Sequence, residues 1–124
     1  MKKLNLVALL LSMTLLFGMS QTASADNLCT SDIDNAKAEI SWYADGFLSK
    51  NYDRDIDGLI GKLDAADGAL NRGKADSARQ KVGDALSKLD QWINAAKAKI
   101  TPAAYEVIYD GLEAVLDCID EHYQ

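Results

Sequence analysis

Four aspartates in the stretch NYDRDIDGLIGKLD have the spacing of a calcium-binding loop. The first half of the pattern D-x-[DN]-x-[DN]-G is matched by Asp53, Asp55 and Asp57, with a glycine directly after them. Asp64 falls at the twelfth position, where such loops usually carry a bidentate glutamate. Calcium binds six to eight oxygen atoms, so carboxylates at alternate positions of a loop suit it. The pattern therefore supports one metal-site hypothesis.

The apolar residues of the same stretch favour a helix. Ile56, Leu59, Ile60 and Leu63 recur at helical spacing, and the phase continues without a break after them. A helix would bury Ile56 and Leu59, at about 1.5–3 kcal/mol for each fully buried side chain, whereas a calcium loop would expose them. The helix would also place the aspartates at positions 53–57 in its first turn, where acidic side chains interact favourably with the helix dipole. We therefore predict a helix that begins near Asp53, with the calcium site as the alternative.

The first 25 residues have the features of a signal peptide. Lys2 and Lys3 precede an apolar stretch over residues 4–17, and the small-residue site Ala-Ser-Ala ends at Ala25, after which we predict cleavage. The apolar stretch is short for a transmembrane anchor. A lipoprotein is not expected, because the residues before Cys29 are not small. The prediction is an exported protein, periplasmic or extracellular, with no membrane anchor after cleavage.

Cleavage would leave a single acidic domain over residues 26–124, about the length that one modest core supports. This part of the chain contains 19 acidic and 11 basic residues, which gives a net charge of −8. Such a surface is a poor match for nucleic acid, which needs a basic patch. Cationic proteins and neutral glycans remain as partner classes, and the sequence does not indicate the oligomeric state.

Periodic apolar spacing predicts four helices and almost no strand. Ser31 and Asp34 resemble a capping box, Gly73 suits the residue after a helix, and Thr101-Pro102 is a strong helix start. The predicted helices cover residues 31–48, from about 53 to 72, from about 75 to 99, and from 102 to near the C-terminus. The predicted core face of the first comprises Ile33, Ala36, Ile40, Tyr43, Ala44, Phe47 and Leu48.

The two cysteines give an independent indication of the helix number. Cys29 and Cys118 are predicted to form a disulfide, because an even pair in an exported chain usually does so. In an up-down bundle, only an even number of helices returns the C-terminus to the end where the chain began. A disulfide requires Cα atoms about 5.5 Å apart, which three helices would not allow. The fold prediction is therefore an all-α, antiparallel up-down four-helix bundle closed by a disulfide between its terminal regions.

Residues for other chemistry are scarce. His122 is the only histidine and lies near the C-terminus without a visible catalytic partner. Haem bound between methionine and histidine is excluded, because Met1, Met13 and Met19 all leave with the signal peptide. There is no CxxCH, HExxH or glycine-rich phosphate motif. We therefore predict a protein that is not an enzyme and carries no cofactor.

Two surface features suggest binding. Trp42 lies about 180° from Ile33 on a helical wheel, so it faces away from the core unless it folds over a neighbouring element. Trp92 lies on the flank of the third apolar face and is predicted to pack in the core. The second feature is a stripe of small residues along the predicted second helix, where another backbone has room to approach. This stripe comprises Gly58, Gly61, Ala65, Gly68 and Ala69.

The stretch from Gly58 to Ile119 resembles the FIVAR/FIMAH-like helical modules of bacterial extracellular proteins. The shared features are L-x-x-K-L-x-A-A from about Leu59 to Ala66, then Leu-Asn-Arg-Gly, a long helix, and a closing helix after Ile100-Thr101. The resemblance implies a non-catalytic helical module outside the cell with a binding or spacing role. It supplies no ligand-binding residues for this chain.

The sequence thus predicts a small exported protein that binds a protein or a glycan, with Trp42 and the small residues Gly61, Ala65 and Gly68 as candidate contacts. One alternative is a calcium-binding module that uses the aspartates at positions 53–57. The other is a periplasmic inhibitor or immunity protein for a cationic enzyme, to which the acidic charge points.

Overall fold

A computed structural model describes residues 27–123, and this part of the chain contains four α-helices. The predicted signal peptide lies outside the described residues. A short 3-10 helix, Ala44–Gly46, follows the first α-helix. The helices are α1 (Thr30–Trp42), α2 (Tyr52–Asn71), α3 (Ala75–Asn94) and α4 (Pro102–His122).

The helices form the predicted antiparallel bundle. Each helix packs against the next along the chain, and α4 closes the ring by packing against α1. Only residues 72–74 separate α2 from α3, and so short a connection requires antiparallel neighbours. No helix of the described residues is long and apolar enough to cross a membrane. The core consists of apolar side chains from all four helices, among them Ile33, Ile40, Leu59, Leu63, Val82, Leu89, Ile108, Leu112, Val115 and Ile119.

The predicted disulfide is confirmed. Cys29, directly before α1, is bonded to Cys118 in the last turns of α4, and the two Cα atoms lie 5.8 Å apart. Both cysteines are buried. Asn27 adds a second link at this end of the bundle, since its side-chain amide donates to Asp67 Oδ1 at 2.7 Å and Asn71 Oδ1 at 2.9 Å.

Two of the predicted helix boundaries are confirmed by their hydrogen bonds. Gly73 has φ of 74° after α2, and its N–H donates to the carbonyl of Leu70 at 3.0 Å. The N–H of Lys74 donates to the carbonyl of Ala69 at 2.8 Å, which completes a Schellman motif. At the start of α4 the Thr101 hydroxyl accepts the N–H of Ala104 at 3.2 Å.

The prediction that the first helix continues to residue 48 is wrong. The helix ends at Trp42, and Phe47 is extended and forms an antiparallel bridge with Ile100. Consecutive residues of an extended segment point in opposite directions, so Phe47 is buried while Leu48 is 55% exposed instead of lying in the core. The N–H of Leu48 donates to the carbonyl of Lys99 at 2.8 Å, which fixes this arrangement.

Two further boundary predictions need correction. No Ser31 capping box forms, because α1 begins at Thr30 with Cys29 before it and has no side-chain cap. The third helix ends at Asn94 rather than near residue 99, because the chain turns back toward the bundle at this point. The N–H of Lys99 donates to the carbonyl of Trp92 at 3.0 Å, and Ile100 becomes fully buried.

Candidate functional site

The aspartate-rich stretch that matches a calcium loop is helical. α2 begins at Tyr52, which places Asp53 and Asp55 in its first turn and Asp57 one turn later. The spacing had suggested that Asp57 also lies in the first turn, and this prediction was wrong. Asp64, the proposed twelfth-position ligand, forms an ion pair with Lys37 at 2.6 Å instead. A calcium loop winds around its ion, and this backbone does not.

No metal-binding cluster replaces it. Within residues 27–123, no group of three or more histidine, cysteine, aspartate or glutamate side chains is arranged to hold a metal ion. His122 lies in the last turn of α4, and its Nε2 atom is 3.7 Å from the carboxylate of the adjacent Glu121. This contact is between neighbours in the sequence.

The most exposed large apolar side chain of the described residues is Trp42. It is 84% exposed at the end of α1, and it does not fold over a neighbouring helix or loop. Leu48 and Tyr52 follow it closely in the sequence and are 55% and 45% exposed. We call these three residues, Trp42, Leu48 and Tyr52, the Trp42 segment. Trp42 ends α1, Leu48 lies in the α1–α2 connection and Tyr52 begins α2, so the segment is at the end of the bundle opposite the disulfide.

The other tryptophan packs against the core of the bundle, as the apolar spacing predicted. Trp92 is half-buried against the core, and its ring meets that of Phe47 edge to face at a centroid distance of 6.1 Å. This contact joins α3 to the α1–α2 connection. Trp92 also lines a groove between α2 and α3.

This groove has a volume of about 320 Å³ and a strongly basic lining. The cations come from three parts of the chain: Arg54 and Lys62 on α2, Lys88 on α3, and Lys99 on the α3–α4 connection. The only lining carboxylate is that of Asp55. We call this feature the α2–α3 groove; its lining is completed by Gly58, Leu59 and Trp92.

The sequence analysis did not identify the α2–α3 groove. A partial indication was present, because Lys88 and Trp92 are four residues apart and share a helix face. The packing of α2 against α3 brings Arg54 and Lys62 to that face, and helix spacing alone does not reveal which side chains meet there. The exposed Lys99 joins them because α3 ends earlier than its apolar pattern suggested.

The small-residue stripe on α2 is divided between two environments. Gly61 and Ala65 are exposed, and Gly58 is exposed at the rim of the α2–α3 groove. A Cβ atom built at Gly58 or Gly61 would have no neighbour within 4 Å, so no described part of the chain approaches these glycines closely. The placement of Ala69 on this face was wrong, because Ala69 is buried. Gly68 is half-buried, and a Cβ atom there would lie 3.3 Å from the Arg72 guanidinium.

Two ionisable groups at helix contacts have altered acidities. The Tyr105 hydroxyl donates to Asp90 Oδ1 at 2.6 Å, and this hydrogen bond, together with burial, raises the pKa of Tyr105 to about 12. Burial, followed by the charge of Asp110, raises the pKa of Glu39 above its ordinary value. The Tyr105 hydrogen bond joins α4 to α3, and Glu39 of α1 lies close to Gly111 of α4.

Comparison of the chain with protein-family models, curated proteins and solved structures finds no match.

Proposed function

We propose that the chain is a small, non-catalytic binding protein that contacts a protein or a glycan through the Trp42 segment. The observation that carries the proposal is the 84% exposure of Trp42, which two further exposed side chains, Leu48 and Tyr52, follow closely in the sequence. Aromatic side chains supply much of the binding energy of interfaces and stack well on sugar rings. A tryptophan kept in water has no stabilising role in the isolated bundle.

The rigidity of the frame supports a binding role. Trp42 is the last residue of α1, and the next N–H, that of Tyr43, donates to the Glu39 carbonyl at 3.0 Å. The Phe47–Ile100 bridge holds the following residues against the α3–α4 connection. A preorganised surface loses little conformational entropy on binding, so more of the contact energy appears as affinity.

The charge of the bundle favours a cationic partner over an acidic one. α4 carries no lysine or arginine, and its exposed face bears Glu106, Asp110, Glu113 and Asp117. An inhibitor or immunity protein for a cationic enzyme is therefore the more specific form of the proposal. Such a partner would associate at a rate that falls steeply as salt is added, because screening removes the long-range attraction.

We further propose that this protein acts outside the cytoplasm, in the periplasm or beyond the cell. The Cys29–Cys118 disulfide supports this location, because disulfides persist mainly in oxidising compartments. The predicted signal peptide points the same way. A binding role is also what the FIVAR/FIMAH-like resemblance implies, and that resemblance stays a prediction.

Affinity capture and a glycan array test the proposal together. Immobilised wild-type protein is compared with Trp42→Ala and with Leu28→Ala, a control that truncates another exposed apolar side chain, 66% exposed, at the opposite end of the bundle. We expect the partner or glycan bound by wild type to be retained by Leu28→Ala and lost by Trp42→Ala. Equal retention by both variants would refute the assignment of the Trp42 segment.

A further inference from the structure

We propose that the α2–α3 groove binds a small organic ligand that carries two or more anionic groups. The inference concerns a second site and does not depend on the Trp42 segment. It rests on the charge of the groove lining, on the absence of ion pairs that would neutralise most of it, and on the shape of the groove.

The charge of the groove is opposite to that of the molecule. Residues 27–123 contain 18 acidic and 11 basic residues, yet four of the basic ones and a single acidic one line this groove. A random sample of the charged residues would be mostly acidic. Charges of one sign that converge in a cleft focus the field and raise the local concentration of ions of the opposite sign. The groove is therefore a local attractor for anions on an acidic protein.

Most of these cations lack an internal counter-charge. Within residues 27–123, Arg54, Lys88 and Lys99 form no ion pair. Lys62 pairs with Asp84, but its Nζ atom lies 3.5 Å from the carboxylate oxygen, a long contact for a charge-assisted hydrogen bond. Three unpaired cations on separate parts of the chain favour a ligand with several anionic groups, because each added anionic group can pair with a further cation.

The shape of the groove is suited to an organic ligand. The lining includes the buried Leu59 and the half-buried Trp92, so apolar atoms accompany the charged groups. Gly58 lines the groove without a side chain, and a Cβ atom there would have no neighbour within 4 Å. A volume of about 320 Å³ is at the lower end of the range for small-molecule sites.

Trp92 provides a direct probe of the site. The chain has two tryptophans, so Trp42→Phe leaves Trp92 as the only one. In this background the emission is titrated with citrate, inorganic pyrophosphate and a sulfated disaccharide, with acetate as the monoanion control, at constant ionic strength. We expect a saturable change with at least one multiply charged probe and none with acetate. The pattern among the three distinguishes carboxylate, phosphate and sulfated-sugar ligands.

A charge-matched pair of variants tests the location. Arg54→Gln/Lys88→Gln removes one arginine and one lysine from the groove, whereas Arg72→Gln/Lys74→Gln removes the same two residue types from exposed positions at the other end of α2. Both changes alter the net charge equally. We expect the groove pair to weaken binding by more than about tenfold, because each loses charge-assisted hydrogen bonds. The control pair should change it less than about twofold, through long-range screening alone.

A second pair separates binding from folding. Gly58→Leu should fill the groove, while Gly61→Leu places the same side chain one turn away on the same helix, where a Cβ atom also meets nothing within 4 Å. Both should raise the melting temperature, because leucine favours a helix more than glycine does. We expect only Gly58→Leu to abolish binding. A flat emission titration together with no heat in calorimetry overturns the proposal. The proposal is also overturned if a groove variant and its control weaken ligand binding equally.

Discussion

Trp42 and Trp92 are the same side chain in opposite environments, and the difference follows from their positions on their helices. Trp92 lies beside the apolar face of α3 and reaches the Phe47 ring at 6.1 Å. Trp42 lies opposite the apolar face of α1 and stays in water. Helix periodicity predicted both directions, because three to four residues per turn fix where a side chain points. It did not show that no other part of the chain would pack over Trp42, because that depends on the path of the loop that follows.

Glu39 shows how a close helix contact imposes an electrostatic cost. Gly111 of α4 lies so near the Glu39 carboxylate and the Ala36 backbone that a Cβ atom at Gly111 would clash with the carboxylate. Burial disfavours the charged form, and Asp110 adds repulsion, so the pKa of Glu39 is raised. The folded state therefore holds the Glu39 proton more tightly than the unfolded state does.

Glu39→Gln should accordingly stabilise the protein in a pH-dependent way. A raised folded-state pKa contributes stability that is present below the ordinary value of 4.5 and is lost as the pH rises through the folded-state pKa. The substitution removes this loss, so we expect a higher free energy of unfolding than wild type at pH 7 and little difference at pH 3. Urea unfolding at the two pH values measures it.

The control is Glu113→Gln, which removes a carboxylate from the exposed face of α4 and relieves no burial. If Glu39→Gln gains as much stability at pH 3 as at pH 7, the cause is packing and not the charge of Glu39. No gain at pH 7 would contradict the account.

At the scale of elements, helix number and pairing were predictable, whereas two helix ends were not. The start of α4 and the end of α2 depend on local residues, Thr101-Pro102 and Gly73, and both were predicted. The end of α1 depends on a contact between Phe47 and Ile100, more than fifty residues apart. Local propensity carries no information about such a contact, so the apolar pattern was extended too far. The α2–α3 groove was missed for the same reason.

α2 also decides what the aspartate motif is expected to do. In a helix the backbone does not wind around an ion, so the aspartates at positions 53–57 do not surround one. Asp64 is paired with Lys37 at 2.6 Å. We therefore expect calorimetry with calcium to show no binding heat, and EDTA to leave the melting temperature unchanged. A saturable heat that disappears in Asp53→Asn/Asp57→Asn would restore the calcium-module hypothesis.

At the scale of the whole molecule, stability depends on a small core and one covalent link. The disulfide joins residues 89 positions apart and so closes almost the entire described chain into a loop. A link over so long a loop reduces the entropy of the unfolded chain strongly. At the other end of the bundle the Phe47–Ile100 bridge connects the two longer loops. The end that carries Trp42 is therefore held by packing and hydrogen bonds alone.

Removing the disulfide should lower the free energy of unfolding by about 4 kcal/mol, as expected from loop closure. Cys29→Ala/Cys118→Ala tests this in urea, with helical content measured by circular dichroism. We expect the double variant to retain its four helices in the absence of urea and to unfold at a markedly lower concentration. An unchanged midpoint would mean that the core alone holds the two terminal regions together.

The central claim is that Trp42 anchors a partner, and its most direct test is the dissociation constant of the captured partner or glycan. Loss of an interfacial tryptophan typically costs 2 kcal/mol or more, so we predict that Trp42→Ala weakens binding by about thirtyfold or more. Leu28→Ala, at the opposite end, should change it less than about twofold, and both variants should melt as wild type does. Equal dissociation constants for wild type and Trp42→Ala would contradict the account.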